Sequence, residues 1–137
     1  MKLSPGDKLT RFIRNNSHCK GGKIRPDVFI PPHNSVDVSV YVISNLSEDQ
    51  IWNIAIKCLT TKTVARADIF VENVYINGLK VIPDRPPSRH ANITPFPELP
   101  DPTCPKNEVN LTAKKDRRAL ANKLAKKSIF IPQPTKP

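Results

Sequence analysis

The chain has few of the residues that define specialised structural classes. Its 137 residues include three cysteines, four glycines and one tryptophan. Cys19, Cys58 and Cys104 are odd in number, widely spaced and without a CxxC pair, which argues against a disulfide framework and against zinc ligand spacing. We therefore expect reduced thiols, no metal and no other cofactor.

Long apolar stretches are also lacking. No segment approaches the ~20 consecutive apolar residues that a transmembrane helix needs. Residues 1–7 contain no apolar run of the kind found in signal peptides. We therefore expect a cytoplasmic protein without a membrane partner.

Acidic residues are scarce at both ends of the chain, and the net charge of the whole chain is +10. Residues 1–46 carry seven basic and three acidic side chains, a balance of +4. Residues 47–110 carry seven and eight, a balance of −1, and residues 111–137 carry eight and one, a balance of +7. Positive charge segregated in this way attracts polyanions or acidic protein surfaces.

Residue alternation predicts an α+β fold with a mostly antiparallel sheet. The length fits one domain. Valines alternate with other residues over 36–43, a pattern typical of a half-buried strand. Residues 64–71 alternate in the same way, and a short strand is predicted at 27–30. Asn77-Gly78 predicts a tight turn, and therefore a hairpin over 72–82. A helix over 70–77 is the alternative, because Phe70, Val74 and Asn77 are also helically spaced.

Helical spacing of apolar residues occurs in three segments, at 7–14, 47–59 and 111–128. The middle segment has the strongest signal, because Ser47 and Gln50 can form a capping box at its start. We expect this amphipathic helix to pack on one face of the sheet, and the last helix to pack alongside or to project.

Proline is abundant in one part of the chain. Eight of the 23 residues in 83–105 are proline, and each proline removes a backbone donor and fixes φ. This predicts an extended loop without regular structure. The domain is expected to span residues 1–128 and to be followed by an extended tail at 129–137.

Three stretches of the chain carry a resemblance to other proteins. They are 65–68, 78–81 and 86–93, the last with the pattern P-P-x-R-H-A-N-I. The chain resembles, over about residues 9–128, a group of short bacterial proteins without an assigned activity. The resemblance implies a bacterial, cytosolic domain and transfers no catalytic role.

The proline-flanked segment 85–92 contains the candidate catalytic residues Arg89 and His90. A histidine can exchange protons near neutral pH, and an arginine can grip phosphate with two donors. If His18 from another loop joined them, one histidine could act as base and the other as acid in RNA cleavage. The alternative is that His90 and Asn92 hydrogen-bond the proline-rich loop to the body of the domain.

Two smaller features have structural and functional interpretations. Arg66 and Asp68 lie two residues apart on one predicted strand, so they can form a partly buried ion pair or line a cleft with Arg89 and His90. Lys20 and Lys23 flank Gly21-Gly22, a pair that can contact phosphate or form a turn.

The C-terminal helix carries the strongest functional signal. Seven cations in fourteen residues are opposed by Asp116 alone. The cations are Lys114, Lys115, Arg117, Arg118, Lys123, Lys126 and Lys127. Such a helix can dock through its apolar side, which includes Leu120 and Leu124, and present charge to nucleic-acid phosphates. The alternatives are that the cations contact an acidic protein partner, or that the helix is solvated and only keeps the protein soluble.

Three hypotheses follow from the sequence. The first is a basic, non-enzymatic accessory protein that contacts the nucleic-acid backbone through its C-terminal helix. The second is a small histidine-dependent nuclease or toxin. The third is a structural subunit that docks on an acidic protein partner. The oligomeric state is not determined by the sequence.

Overall fold

The computed structural model of the chain describes residues 3–59, 62–101, 103 and 108–134. These residues form a six-stranded antiparallel sheet with helices, which confirms the predicted α+β class. The strands are β1 (Lys8–Ile13), β2 (Val38–Val42), β3 (Ala65–Phe70), β4 (Lys80–Pro83), β5 (His90–Thr94) and β6 (Ile129–Pro132). The helices are α1 (Glu48–Cys58), α2 (Val71–Ile76) and α3 (Leu111–Lys127). The strands lie side by side in the order β4-β5-β2-β1-β3-β6.

Two apolar clusters cover opposite faces of this sheet. The larger cluster joins alternate residues of the strands, such as Val38 and Val40, to Val74 of α2 and Leu124 of α3. The smaller cluster joins Tyr41 and its neighbours to α1. Since successive side chains of a strand point to opposite faces, α1 lies on one face, as predicted, and α2 and α3 lie on the other.

Strand β1 corrects the predicted helix over 7–14. It is a central strand, paired with β2 on one side and β3 on the other. Leu9 and Ile13 are buried in the larger cluster, and Phe12 is buried in the smaller one. Because both faces of a central strand are covered, its apolar residues can imitate the i, i+3, i+4 spacing of a helix.

Residues 27–30 were predicted as a strand, and this was wrong. The chain forms a 3₁₀ helix over Pro26–Phe29. Pro26 occupies the first turn, where a fixed φ is favourable and the missing N–H has no helical partner to lose. Val28 and Phe29 are both buried, although they are adjacent in sequence, a pattern that a half-buried strand does not produce.

The predicted hairpin over 72–82 was also wrong. Helix α2 occupies its first half, and β4 pairs with β5 instead. A two-residue type I′ turn needs positive φ at both central residues, but φ is −88° at Asn77 and +80° at Gly78. The N–H groups of Gly78 and Leu79 donate to carbonyls in the last turns of α2 at 2.9 and 3.3 Å. Asn77-Gly78 is therefore a helix C-cap of the Schellman type.

The proline-rich segment and the tail contain more regular structure than predicted. Strand β5 lies inside the predicted loop 83–105 and pairs with β2 and β4, because residues 88–94 are free of proline. Residues Ile129–Pro132 of the predicted tail form the edge strand β6 on β3. The Ser47–Gln50 capping box at the start of α1 is present as predicted.

Candidate anion-binding groove

The predicted cations of α3 have different environments. Six of them are exposed or partly exposed, namely Lys114, Lys115, Arg118, Lys123, Lys126 and Lys127. On the opposite side of the helix, Ala121, Leu124 and Ala125 are buried in the larger cluster. The predicted apolar docking side of α3 is therefore confirmed, and most of its charge faces solvent.

Arg117 corrects the predicted set of nucleic-acid contacts, because only 4% of it is exposed. Its Nε donates to the Pro97 carbonyl at 2.6 Å, and its Nη1 and Nη2 donate to the carbonyls of Pro32 and Ser35 at 3.3 and 2.8 Å. Burial lowers the pKa of this guanidinium. Arg117 lies four residues before Ala121, on the apolar side of the helix, so its spacing was a signal for burial.

The segment 18–28 brings further cations next to α3. Lys20, Lys23 and Arg25 are exposed on this segment. Its backbone is folded into tight turns, and Gly21 and Gly22 have φ of +71° and +76°, values that favour glycine. The segment is tied to the helix by an ion pair between Arg118 Nη1 and Asp27 Oδ1 at 3.3 Å.

A groove of about 530 Å³ lies between this segment and α3. We call it the basic groove. Its lining residues are Gly22, Lys23, Ile24, Arg25, Pro26, Asn122, Ala125, Lys126, Ser128 and Phe130. Three of these residues are cations, and none of them carries a carboxylate. The groove therefore lies between the basic N-terminal region and the basic C-terminal region of the chain.

The floor of the basic groove includes an aromatic ring. A Cβ atom placed on Gly22 would lie 3.8 Å from two carbons of the Phe130 ring, which is ordinary van der Waals contact. Phe130 comes from β6, and its ring is partly buried against the larger cluster. Cations, an amide from Asn122 and an apolar surface are thus presented together, a combination that suits a phosphate-containing ligand.

His90, a predicted catalytic residue, is held by hydrogen bonds on both ring nitrogens. Its Nδ1 lies 2.8 Å from the backbone carbonyl of Asp84 and 3.8 Å from the Asp84 carboxylate. Because a carbonyl can only accept, Nδ1 donates to it. In the neutral ring, Nε2 then accepts from the Ser39 hydroxyl. The hydrogen bonds tie the segment before β5 to the sheet, as the structural alternative predicted.

Arg89 and His18, the other predicted catalytic residues, do not join His90 in one site. Arg89 has φ of +71°, and its Nη1 donates to the carbonyl of Val42 at 3.2 Å. His18 lies in a 3₁₀ turn and lines a separate pocket with Arg11 and Arg14. Among the described residues, no contact links His18 to His90.

The predicted ion pair between Arg66 and Asp68 is confirmed, with Nε 3.0 Å from Oδ1. Sequence reasoning missed the second carboxylate, Glu48 at the start of α1, which accepts from both terminal nitrogens of Arg66 at 3.0 and 2.9 Å. The guanidinium also lies 5.1 Å from the centroid of the Trp52 ring. The cluster fastens α1 to the sheet, so the structural interpretation of the pair is supported.

The remaining candidate chemistry is sparse. Cys19 is buried, and burial raises the pKa of its thiol; Cys104 lies outside the described residues. Within the described ranges, no group of three or more histidine, cysteine or acidic side chains is placed to hold a metal ion. None of the described helices combines the length and apolar character needed to cross a membrane.

No known family model, no curated protein and no solved structure matches this chain. Its function is therefore inferred from the side chains described above.

Proposed function

We propose that this protein is a basic, non-enzymatic accessory protein that binds the phosphate backbone of nucleic acid. The binding surface is the basic groove together with the exposed cations of α3. The observation that carries the proposal is the meeting of Lys23, Arg25 and Lys126 around one groove without a lining carboxylate. Cations that line one groove repel one another, and a polyanion relieves that repulsion.

The length of the charged surface fits several phosphates. Lys115, Arg118 and Lys126 are exposed on α3. The first and the last are eleven residue steps apart, which corresponds to about 16 Å along the helix at 1.5 Å per residue. That length equals roughly five phosphates of one duplex strand at a spacing of about 3.4 Å. Lysine and arginine contacts of this kind position a protein on the backbone and carry little sequence information.

Direct binding measured at several salt concentrations tests the proposal. Fluorescence anisotropy with a labelled duplex and a labelled single strand should show affinity that falls steeply with salt, since each phosphate contact contributes a slope of about −0.9 in log K against log [salt] for B-DNA. The triple variant Lys23→Gln, Arg25→Gln, Lys126→Gln should reduce that slope by about 2 to 3.

A matched control removes the same net charge elsewhere. Lys57, Lys80 and Arg85 are exposed and do not line the basic groove. Their triple glutamine variant should keep most of the affinity. An equal loss in both triple variants would show that net charge alone is responsible. Tighter binding to a polyglutamate peptide than to nucleic acid would favour the acidic protein partner instead.

A second candidate function, histidine-dependent hydrolysis, is supported by one local arrangement. The Ser39 hydroxyl is hydrogen-bonded to Nε2 of His90, and Nδ1 of the same ring donates to the Asp84 carbonyl, so the neutral ring accepts from Ser39. In this tautomer the imidazole can accept the serine proton as a general base. The serine oxygen would then attack an acyl or phosphoryl centre.

A fluorophosphonate probe tests this second candidate. The Ser39 oxygen would bond to phosphorus, fluoride would leave, and the proton would pass to His90. Labelling should disappear in Ser39→Ala and in His90→Asn, while circular dichroism shows that both variants stay folded. A folded wild-type protein that takes up no label would remove the candidate.

A further inference from the structure

The basic groove combines an apolar floor with a charged rim. Three of its lining residues, Ile24, Ala125 and Phe130, belong to the larger apolar cluster or pack against it. The three cations that line the groove are instead exposed. A phosphate backbone is bound through charge and hydrogen bonds, so the apolar floor adds nothing to the recognition of phosphates alone. It suits a ligand that has an apolar part in addition to its phosphates.

The polar side chains of the groove are not engaged elsewhere in the part of the chain that the structure describes. Lys23, Arg25 and Lys126 form no ion pair and donate no side-chain hydrogen bond to the described residues. The Asn122 amide, which also lines the groove, makes no hydrogen bond to them either. An amide offers an oxygen acceptor and two donors. Three cations and one amide therefore remain free to bind a ligand.

Phe130 supplies the one aromatic ring among the residues that line the groove. It lies on the edge strand β6, and Gly22 lies across the groove from it. A Cβ atom on Gly22 would be 3.8 Å from Cδ2 and Cε2 of the ring, so any larger side chain at position 22 would cover that edge of the ring. Because position 22 is a glycine, the ring stays accessible from the groove.

We propose that the basic groove binds single-stranded nucleic acid, with one base stacked on Phe130 and the flanking phosphates bound by the three cations of the rim. This inference rests on the proposed function and adds the form of the nucleic acid to it. A paired base in a duplex is covered by its neighbours, whereas an unpaired base can stack on an aromatic side chain. The groove volume of about 530 Å³ lies within the range of pockets that hold one small molecule, so it has room for one nucleotide. The Asn122 amide can then hydrogen-bond the edge of the base.

A strand without bases separates stacking from charge. Fluorescence anisotropy compares a labelled oligothymidylate with a strand of equal length made of abasic residues, which carries the same number of phosphates. The thymidine strand should bind at least about fivefold more tightly, because one base stacked on an aromatic ring contributes that much or more. Equal affinity for the two strands would overturn stacking and leave the proposed function intact. Failure to bind either strand would overturn the inference as well, and duplex binding then decides whether the proposed function survives.

Phenylalanine variants locate the stacking in the groove. Phe130→Leu keeps an apolar side chain but removes the ring, so the preference for the thymidine strand should disappear while duplex affinity stays unchanged. Phe130→Tyr keeps the ring and should keep the preference. Phe70→Leu is the matched control, because Phe70 is also a partly buried strand residue but does not line the groove. A preference that survives in Phe130→Leu, or that Phe70→Leu abolishes to the same extent, would overturn the proposal.

Two glycine variants provide a second test that leaves Phe130 in place. Gly21 and Gly22 have similar φ values of +71° and +76°, so alanine is strained to a similar degree at both positions. The alanine methyl at position 22 would lie against the ring, whereas at position 21 it would meet no atom within 4 Å. Gly22→Ala should therefore reduce the preference for the thymidine strand, and Gly21→Ala should not. Equal preferences in the two variants would show that the base does not lie on the ring beside Gly22, which contradicts the proposed placement.

Discussion

Arg66 has 2% of its surface exposed, and its neutralisation depends on two carboxylates from different elements. The spacing of Arg66 and Asp68 on one strand was enough to predict their ion pair, because strand residues i and i+2 lie on the same face. Glu48 was not predicted, since nothing in the local sequence indicates that the first residue of α1 lies over β3. An ion pair within one strand can be predicted from residue spacing. An ion pair between a strand and a helix can be predicted only when their packing is known.

Replacing Arg66 alone should destabilise the protein far more than replacing Arg66 and Asp68 together. Arg66→Met leaves the buried Asp68 carboxylate, 3% exposed, without its cation. We expect a loss of about 3–5 kcal/mol in the free energy of unfolding, the cost typical of a broken buried pair. The double variant Arg66→Met, Asp68→Leu should recover most of it. Urea denaturation at neutral pH measures both, and a double variant no more stable than the single one would contradict this prediction.

The stability of the protein should also depend on Glu48 at acidic pH. The hydrogen bonds from Arg66 lower the pKa of Glu48 below its usual 4.5. A lowered folded pKa contributes stability above the unfolded pKa, and this contribution is lost as the pH falls through the folded value. The temperature at the midpoint of thermal unfolding should therefore decrease as the pH is lowered below 4.5. This decrease should be less steep in Glu48→Gln.

Asp7 provides the control for this pH dependence. The backbone N–H of Ser4 lowers the pKa of Asp7 as well, so Asp7→Asn should remove a separate part of the acid sensitivity. If Glu48→Gln and the wild-type protein show the same decline with pH, the Arg66 hydrogen bonds do not stabilise the ionised form of Glu48.

At the scale of elements, local signals identified α1 and misidentified β1 and α2. The capping box and the apolar stripe of α1 act within one helix, so the sequence alone was sufficient. Strand β1 is buried on both faces by residues far along the chain, which removes the alternation expected of a strand. Asn77-Gly78 is compatible with a hairpin or a helix end, and only the preceding backbone decides between them.

Gly78 offers a test of this helix end. Its φ is +80°, and a Cβ placed on it would meet no atom within 4 Å. Gly78→Ala should therefore cost only the conformational penalty of the left-handed region, about 1–2 kcal/mol. Gly6 also has open space around it but lacks a positive φ, so Gly6→Ala should change stability by less than about 0.5 kcal/mol. Thermal unfolding of the two variants measures the difference, and equal stabilities would refute the capping role.

At the scale of the whole molecule, the segregation of charge was visible in the sequence, but the basic groove that it produces was not. The cations of α3 were predicted to form a charged surface, and five of the seven are exposed there. The sequence could not show that Lys23 and Arg25 share a groove with Lys126, because that contact depends on how residues 18–28 pack against α3. Phe130 was missed for the same reason, since residues 129–137 were expected to lie outside the domain.

Arg117 and Arg118 are adjacent cations with opposite roles in the whole molecule. Arg117 binds carbonyls from two separate loops, and Arg118 lies at the surface with 52% of its side chain exposed. Arg117→Gln should lower the unfolding free energy by about 2–4 kcal/mol, because several charged hydrogen bonds are lost. Arg118→Gln should cost at most about 1 kcal/mol.

Limited proteolysis and nucleic-acid titration separate these two roles. Arg117→Gln should speed cleavage near residues 32–35 and 97, while Arg118→Gln should instead weaken nucleic-acid binding. Comparable protease resistance in both variants would show that Arg117 does not hold the loops.

Trp52 is the only tryptophan in the chain, and it is 9% exposed between Phe12 and Arg66. The protein therefore contains a single built-in fluorophore located where α1 meets the sheet. Its emission can be assigned without labelling, and a shift towards longer wavelength reports water entering that contact. Detachment of one helix can thus be followed separately from the melting of the whole chain.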